Sequence, residues 1–116
     1  MKELATTPLQ VGPVALHHAT AGEGVPIVFV HGGLGDYRYW EWQLEAFAPL
    51  GRAVTYSRRY SYPNDNRPYD PAYSPRTDAS DLAGLIEALD GGPAHVVAAS
   101  IGACAALFVA AERPEL

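Results

Sequence analysis

AASIGA, residues 98 to 103, is the stretch on which the reading of this chain turns. It follows the apolar, β-branched run His95-Val96-Val97-Ala98-Ala99 and precedes an alanine-rich stretch with helical patterning, so a strand turns sharply into a helix at Ser100. A serine on such a turn is either a nucleophile presented at the end of a sheet or an ordinary strand-end serine. A nucleophile elbow needs small residues two before and two after its serine, because larger side chains collide across the turn. Ala98 and Gly102 meet that demand, and Ala103 is small as well. Serine between small residues is common, so the pattern takes its weight from what surrounds it.

Upstream, Ile27-Val28-Phe29-Val30 reads as a buried strand, and HGGLGD follows it. Tyr37, Trp40, Leu44 and Phe47 recur at spacings of three and four, which predicts a helix ending near Gly51. Arg52 to Ser57 is the next strand. Residues 58–76 hold four prolines and four tyrosines without periodicity and read as a loop, long enough to suspect function. A helix is predicted from about Thr77, with Leu82, Leu85, Ile86 and Leu89 as its apolar stripe and Asp78 and Asp81 in its first turn. Gly91-Gly92-Pro93 stops it, and Arg113-Pro114 closes the last helix. At the other end, residues 9–20 read as two short strands broken near Gly12-Pro13. Apolar strands alternating with helices predict an α/β fold, a mostly parallel, doubly wound sheet with helices on both faces. The 116 residues are expected to form one domain, 1–116.

Composition excludes several classes. The chain is 48% hydrophobic and 18% charged with a net charge of -5, which is globular and mildly acidic. Its basic residues cluster only at Arg58-Arg59, so no nucleic-acid partner is expected. A single cysteine, Cys104, allows no internal disulfide and gives no metal-ligand spacing; neither metal nor organic cofactor is implied. No run approaches a membrane span and the N-terminus has no apolar core of a leader, so the reading is cytoplasmic, with no membrane partner.

His31-Gly32-Gly33-Leu34-Gly35 stands between a buried strand and a helix, where α/β sheets bind ligands. It lacks the third glycine of G-x-G-x-x-G, where Arg38 stands, and it is not a phosphate-binding loop, so a nucleotide-binding module is a weak competitor. Glycines here leave backbone N–H groups free to face a developing oxyanion.

With both motifs in view, the chain resembles the N-terminal half of an α/β-hydrolase-fold protein of the single-domain esterase and peptidase-like kind. IVFVHGGLGDYRYW (27–40) is similar to that family's strand and oxyanion turn, and VVAASIGA (96–103) to its elbow, with Ala98 in place of the usual first glycine. Residues 52–63 fall where the family often has Asp-x-Arg-Gly-x-Gly; Arg58 matches its arginine, but Tyr56, Arg59 and Ser61 replace the acid and glycines, and no function is carried onto that loop. The resemblance implies that Ser100 is the nucleophile and that the N–H groups of Gly33 and Ile101 form the oxyanion hole. It implies acyl transfer to the serine from an ester or related carbonyl substrate, followed by hydrolysis. The family's dehalogenases and epoxide hydrolases place an aspartate at this elbow, and the serine argues against them. Small esters are slightly favoured over peptides, and Tyr37, Trp40 and the tyrosines from Tyr60 to Tyr73 either line a pocket or pack the core.

The triad of this family runs Ser, Asp or Glu, His along the chain. After Ser100 stand only Glu112 and Glu115, on or just past the helix leading away from the elbow. His95 opens the same strand, roughly 16 Å from Ser100. His31 starts the oxyanion turn and is expected to support it rather than act as base. His17 and His18 fall on opposite faces of an early strand and read as a surface residue and a packing residue rather than a metal pair. Cys104 is expected to be buried against the sheet. The resulting expectation is an N-terminal portion of a longer serine hydrolase, inactive as these 116 residues alone, acting on a small-molecule ester-like substrate. The alternative is a non-catalytic half-domain whose last strand, a raw apolar edge, pairs with a complementing segment or with a second copy.

Overall fold

The computed structural model describes residues 4–116. Strands β1 (Thr7–Val11) and β2 (Val14–Ala21) form an antiparallel hairpin closed at Gly12-Pro13, where Gly12 takes φ 55°, a conformation costly for any residue with a Cβ. β3 (Pro26–Val30), β4 (Arg52–Tyr56) and β5 (His95–Ala98) complete a five-stranded sheet in the order β1-β2-β4-β3-β5. β4, β3 and β5 are mutually parallel, while β2 joins β4 antiparallel. The sheet is therefore a parallel α/β core with an antiparallel hairpin on one side.

The alternation of β3 and β4 sorts their side chains onto two faces. Ile27, Phe29 and Ala53 meet Leu44, Trp40 and Phe47 of the segment around α1 (Glu41–Phe47). Val28, Val30, Val54 and Tyr56 meet α2 (Pro75–Leu89) and α3 (Gly102–Glu112). Helices thus cover both faces. Leu82, Leu85 and Ile86 of the predicted stripe are fully buried, each worth about 1.5–3 kcal/mol of transfer free energy. No helix among the described residues is long and apolar enough to cross a membrane.

Two predicted helices differ in detail. The continuous helix expected from Tyr37 to near Gly51 is a 3₁₀ turn (Tyr37–Trp40), the short α1 and a second 3₁₀ turn (Ala48–Leu50). Asp36 caps the first turn through Arg38 N–H, and Pro49, which has no N–H, ends the α-helical ladder. The predicted apolar face is nonetheless the one turned to the sheet, with Phe29 packed on Trp40 at 5.2 Å and Phe47 at 5.5 Å. α2 starts at Pro75 rather than about Thr77, because the Ser74 hydroxyl accepts from Arg76 N–H while Ser74 N–H donates to the Thr77 hydroxyl.

Residues 57–74 form an ordered loop. Tyr60, Tyr69 and Tyr73 cluster with centroids 4.6–6.3 Å apart, and the Tyr60 hydroxyl accepts from Asp70 N–H. The hairpin overhangs the end of β4, and side-chain amides take up the backbone groups left there. Asn64 accepts from His17 N–H; Asn66 accepts from Ala15 N–H and donates back to Ala15 C=O.

Candidate active site

β3 and β5 lie side by side, and the chain leaves their carboxyl ends toward opposite faces, to α1 from one and into α3 from the other. Such a divergence opens a crevice. A cleft of about 500 Å³ stands there, lined by Gly32, Gly33, Leu34, Tyr39, Ser100 and Ile101 among others. Both sequence motifs meet in it.

Ser100 is exposed and takes φ 54°, a left-handed conformation rarely adopted by residues with a Cβ. Ala99 N–H donates to Val30 C=O at 3.1 Å, and the helix begins at once with Gly102 N–H to Ala99 C=O and Ala103 N–H to Ser100 C=O. Gly102 makes this closeness possible, since a Cβ there would lie 2.5 Å from His31 O and 3.0 Å from Val30 O. Gly32 does the same across the cleft, where a Cβ would sit 3.2 Å from Ser100 Cβ. The glycine turn is thus laid directly against the elbow. Among the described residues, neither Gly33 N–H nor Ile101 N–H donates a hydrogen bond to the protein, and the Ser100 hydroxyl has no hydrogen-bond partner.

His31 supports the turn, as expected. It is fully buried, its Nδ1 lies 2.7 Å from Gly32 O, and its Nε2 accepts from Arg58 N–H at 2.9 Å. With a donor facing Nε2 and a carbonyl facing Nδ1, the ring is neutral and protonated at Nδ1. Burial, reinforced by the Arg58 charge, holds it below the ordinary imidazole value of 6.5 despite the carbonyl contact. It has no free nitrogen with which to act as a base. His17 and His18 are both half-buried and each is engaged, His17 with the Thr6 hydroxyl and His18 with Thr7 C=O. Two strands separate theirs from β5. Among the described residues no group of His, Cys, Asp and Glu could hold a metal ion.

Cys104 corrects the sequence reading: it is exposed rather than buried. α3 turns Gly102, Ala105 and Val109 inward, which places Cys104 and Leu107 on the outer side. The aromatic residues also sort out. Tyr37 is buried, Trp40 packs on Phe29, Tyr60, Tyr69 and Tyr73 pack on one another, and Tyr62 lies exposed under the Arg38 guanidinium, while Tyr39, which the sequence did not single out, lines the cleft.

Arg58 received no role from the sequence, yet it is buried beside the cleft. Its Nη1 donates to Asp78 at 2.7 Å and to the Tyr73 hydroxyl at 3.0 Å, and its Nη2 donates to Gly32 C=O at 3.1 Å. Tyr73 in turn donates to Asp78 at 2.6 Å; burial and that carboxylate push its hydroxyl pKa well above the ordinary value.

A family model described as the alpha/beta hydrolase family matches residues 27–115. BpoC of Mycobacterium tuberculosis, which carries a provisional non-heme bromoperoxidase name, is 37% identical over 97 residues, covering 82% of this chain and 36% of that protein. A protein of Caballeronia sordidicola named epoxide hydrolase is 33% identical over 104 residues, covering 88% and 31%. An epoxide hydrolase structure from Vigna radiata superposes with a TM-score of 0.89 at 27% identity, over 97% of this chain and 37% of that one. The chain thus spans about a third of the length of these relatives.

Proposed function

Because the chain belongs to the alpha/beta hydrolase family, we propose that its cleft is a serine-hydrolase active site with Ser100 as nucleophile and the N–H groups of Gly33 and Ile101 as oxyanion hole. The observation that carries this reading is the strained Ser100 at the switch point, backed by Gly32 and flanked by two unpaired amides. Attack of the hydroxyl on an ester carbonyl forms a tetrahedral oxyanion, which the two N–H groups stabilise; the alkoxide leaves with a proton, and water then releases the acid from the acyl-serine.

The identity of residue 100 bears on the substrate. Opening an epoxide with serine would leave an ether that water does not cleave, whereas an acyl-serine is an ester and turns over. The chemistry therefore favours carbonyl substrates, small esters before amides, over the epoxides in the relatives' names.

Ser100 needs a base to accept its proton. His31 has no free nitrogen, and His95, at the far end of β5, is roughly 16 Å away. These 116 residues alone are therefore proposed to be inactive or nearly so. The test is fluorophosphonate treatment of the protein isolated from the cells that make it, with intact-mass measurement and peptide mapping. A single adduct on Ser100, absent from Ser100→Ala, is expected, with labelling of the isolated 116 residues at least about a hundredfold slower. An unlabelled native protein would overturn the reading.

A second reading rests on β5, which pairs only with β3 among the described residues. It is a non-catalytic half-domain that pairs this edge with a complementing segment or a second copy.

A further inference from the structure

The Gly32 carbonyl accepts from three donors: His31 Nδ1–H at 2.7 Å, Arg58 Nη2–H at 3.1 Å and Gly35 N–H at 3.2 Å. In a trans peptide the C=O of one residue and the N–H of the next point in opposite directions across one rigid plane. Gly32 C=O and Gly33 N–H belong to the same plane. Whatever fixes the first therefore aims the second, and donors drawing on the carbonyl also polarise the amide and strengthen it as a donor.

Of the three, Arg58 has the most elaborate support. Its guanidinium is buried, with its charge met by Asp78 and its orientation held by Tyr73. Its own N–H also fixes the partner donor, since it bonds His31 Nε2 and so keeps the proton on Nδ1, facing Gly32. Residue 58 thus acts on the one carbonyl twice, directly through the arginine Nη2 and indirectly, through a main-chain N–H that lysine would keep, by way of the imidazole.

We propose that Arg58, held by Asp78 and Tyr73, is a positioning residue that sets the direction and donor strength of the Gly33 N–H. This rests on the reading of that N–H as an oxyanion donor. Lysine cannot replace it: one ammonium cannot meet Asp78, the Tyr73 hydroxyl and Gly32 C=O in the geometry a planar fork allows.

The test has two readouts on Arg58→Lys and on Tyr73→Phe, the milder change, which keeps the Arg58–Asp78 pair. The first is the amide proton resonance of Gly33 in the ¹⁵N-labelled chain, which needs no activity. It is expected to move upfield in both variants, more in Arg58→Lys, while resonances of β1 stay in place. The second is the fluorophosphonate labelling rate of the native protein at Ser100, corrected for folded fraction, expected to drop about tenfold or more in Arg58→Lys. A Gly33 resonance unchanged in a folded variant overturns the inference, as does full-rate labelling of folded Arg58→Lys, because a merely structural role lowers the melting temperature without slowing the folded molecules. If Arg58→Lys does not fold, the Gly33 resonance in Tyr73→Phe decides. If wild type is not labelled at all, the serine-hydrolase reading fails by itself, and the Gly33 resonance still decides whether Arg58 positions that amide.

Discussion

Ser100 holds a backbone conformation that costs a residue with a Cβ about 1 kcal/mol or more. Ser100→Gly is thus expected to be more stable than Ser100→Ala by about 1 kcal/mol in urea unfolding, although both lose the nucleophile. Equal stabilities would mean that the elbow is unstrained. The sequence disclosed this residue because the demand for small neighbours is steric and local. It did not disclose Arg58, whose importance comes from Asp78 and Gly32, 20 and 26 residues away in the chain. The histidines make a second prediction at this scale. Burial holds His31 and His18 below 6.5, so as pH falls through 6.5 the unfolded chain takes up protons that the folded chain refuses. Stability should therefore decline with acidification from pH 6.5 downward. Asp81, raised above 3.8 by burial, works in the opposite sense toward the lower end of that window. A urea midpoint lower at pH 5.5 than at 7.5, with a smaller drop in His18→Gln, is expected; a flat profile would contradict it.

At the scale of elements, the elbow depends on how closely α3 meets β3. Gly102→Ala drives a methyl group into His31 O and Val30 O, both backbone atoms that cannot step aside. Thermal unfolding should show a loss of about 1–3 kcal/mol, with Ser100 displaced as well. A variant with wild-type stability would show that the helix start yields freely. Strands β3, β4 and β5 were legible from their apolar runs and the α2 stripe from its spacing. The split of the first helix was not, since periodicity reports which face is buried and not whether the turns are α or 3₁₀. The start of α2 is encoded in Ser74-Pro75-Arg76-Thr77, a cap with its reciprocal hydroxyl, but the run of prolines before it reads as loop.

Across the whole molecule, the two cores share β3 and β4 as their common wall, so heat or urea should unfold the chain in one transition. The edges differ from the interior. β5 leaves one side unpaired among the described residues, Val97 is 36% exposed, and Leu107 of α3 is 70% exposed. Unpaired apolar edges recruit strands. Sedimentation velocity of the 116-residue chain should show association that grows with concentration and is reduced by Val97→Lys; a monomer at all concentrations would count against an open edge. The order of the 57–74 loop lay beyond sequence reasoning, for its anchors join Asn66 to Ala15 across 51 positions.

Those anchors bear on how the loop can vary. The Asn66 amide offers Ala15 one acceptor and one donor, at 3.1 and 3.0 Å, which is what a residue of a neighbouring strand would offer. Counted by hydrogen bonds, the sheet has a sixth strand one residue long, made of side chain. Only an amide of this reach can serve as that strand: aspartate loses the donor and glutamine overshoots. Position 66 is therefore bound by the grammar of the sheet, as is position 64, whose amide takes up His17 N–H on the same strand.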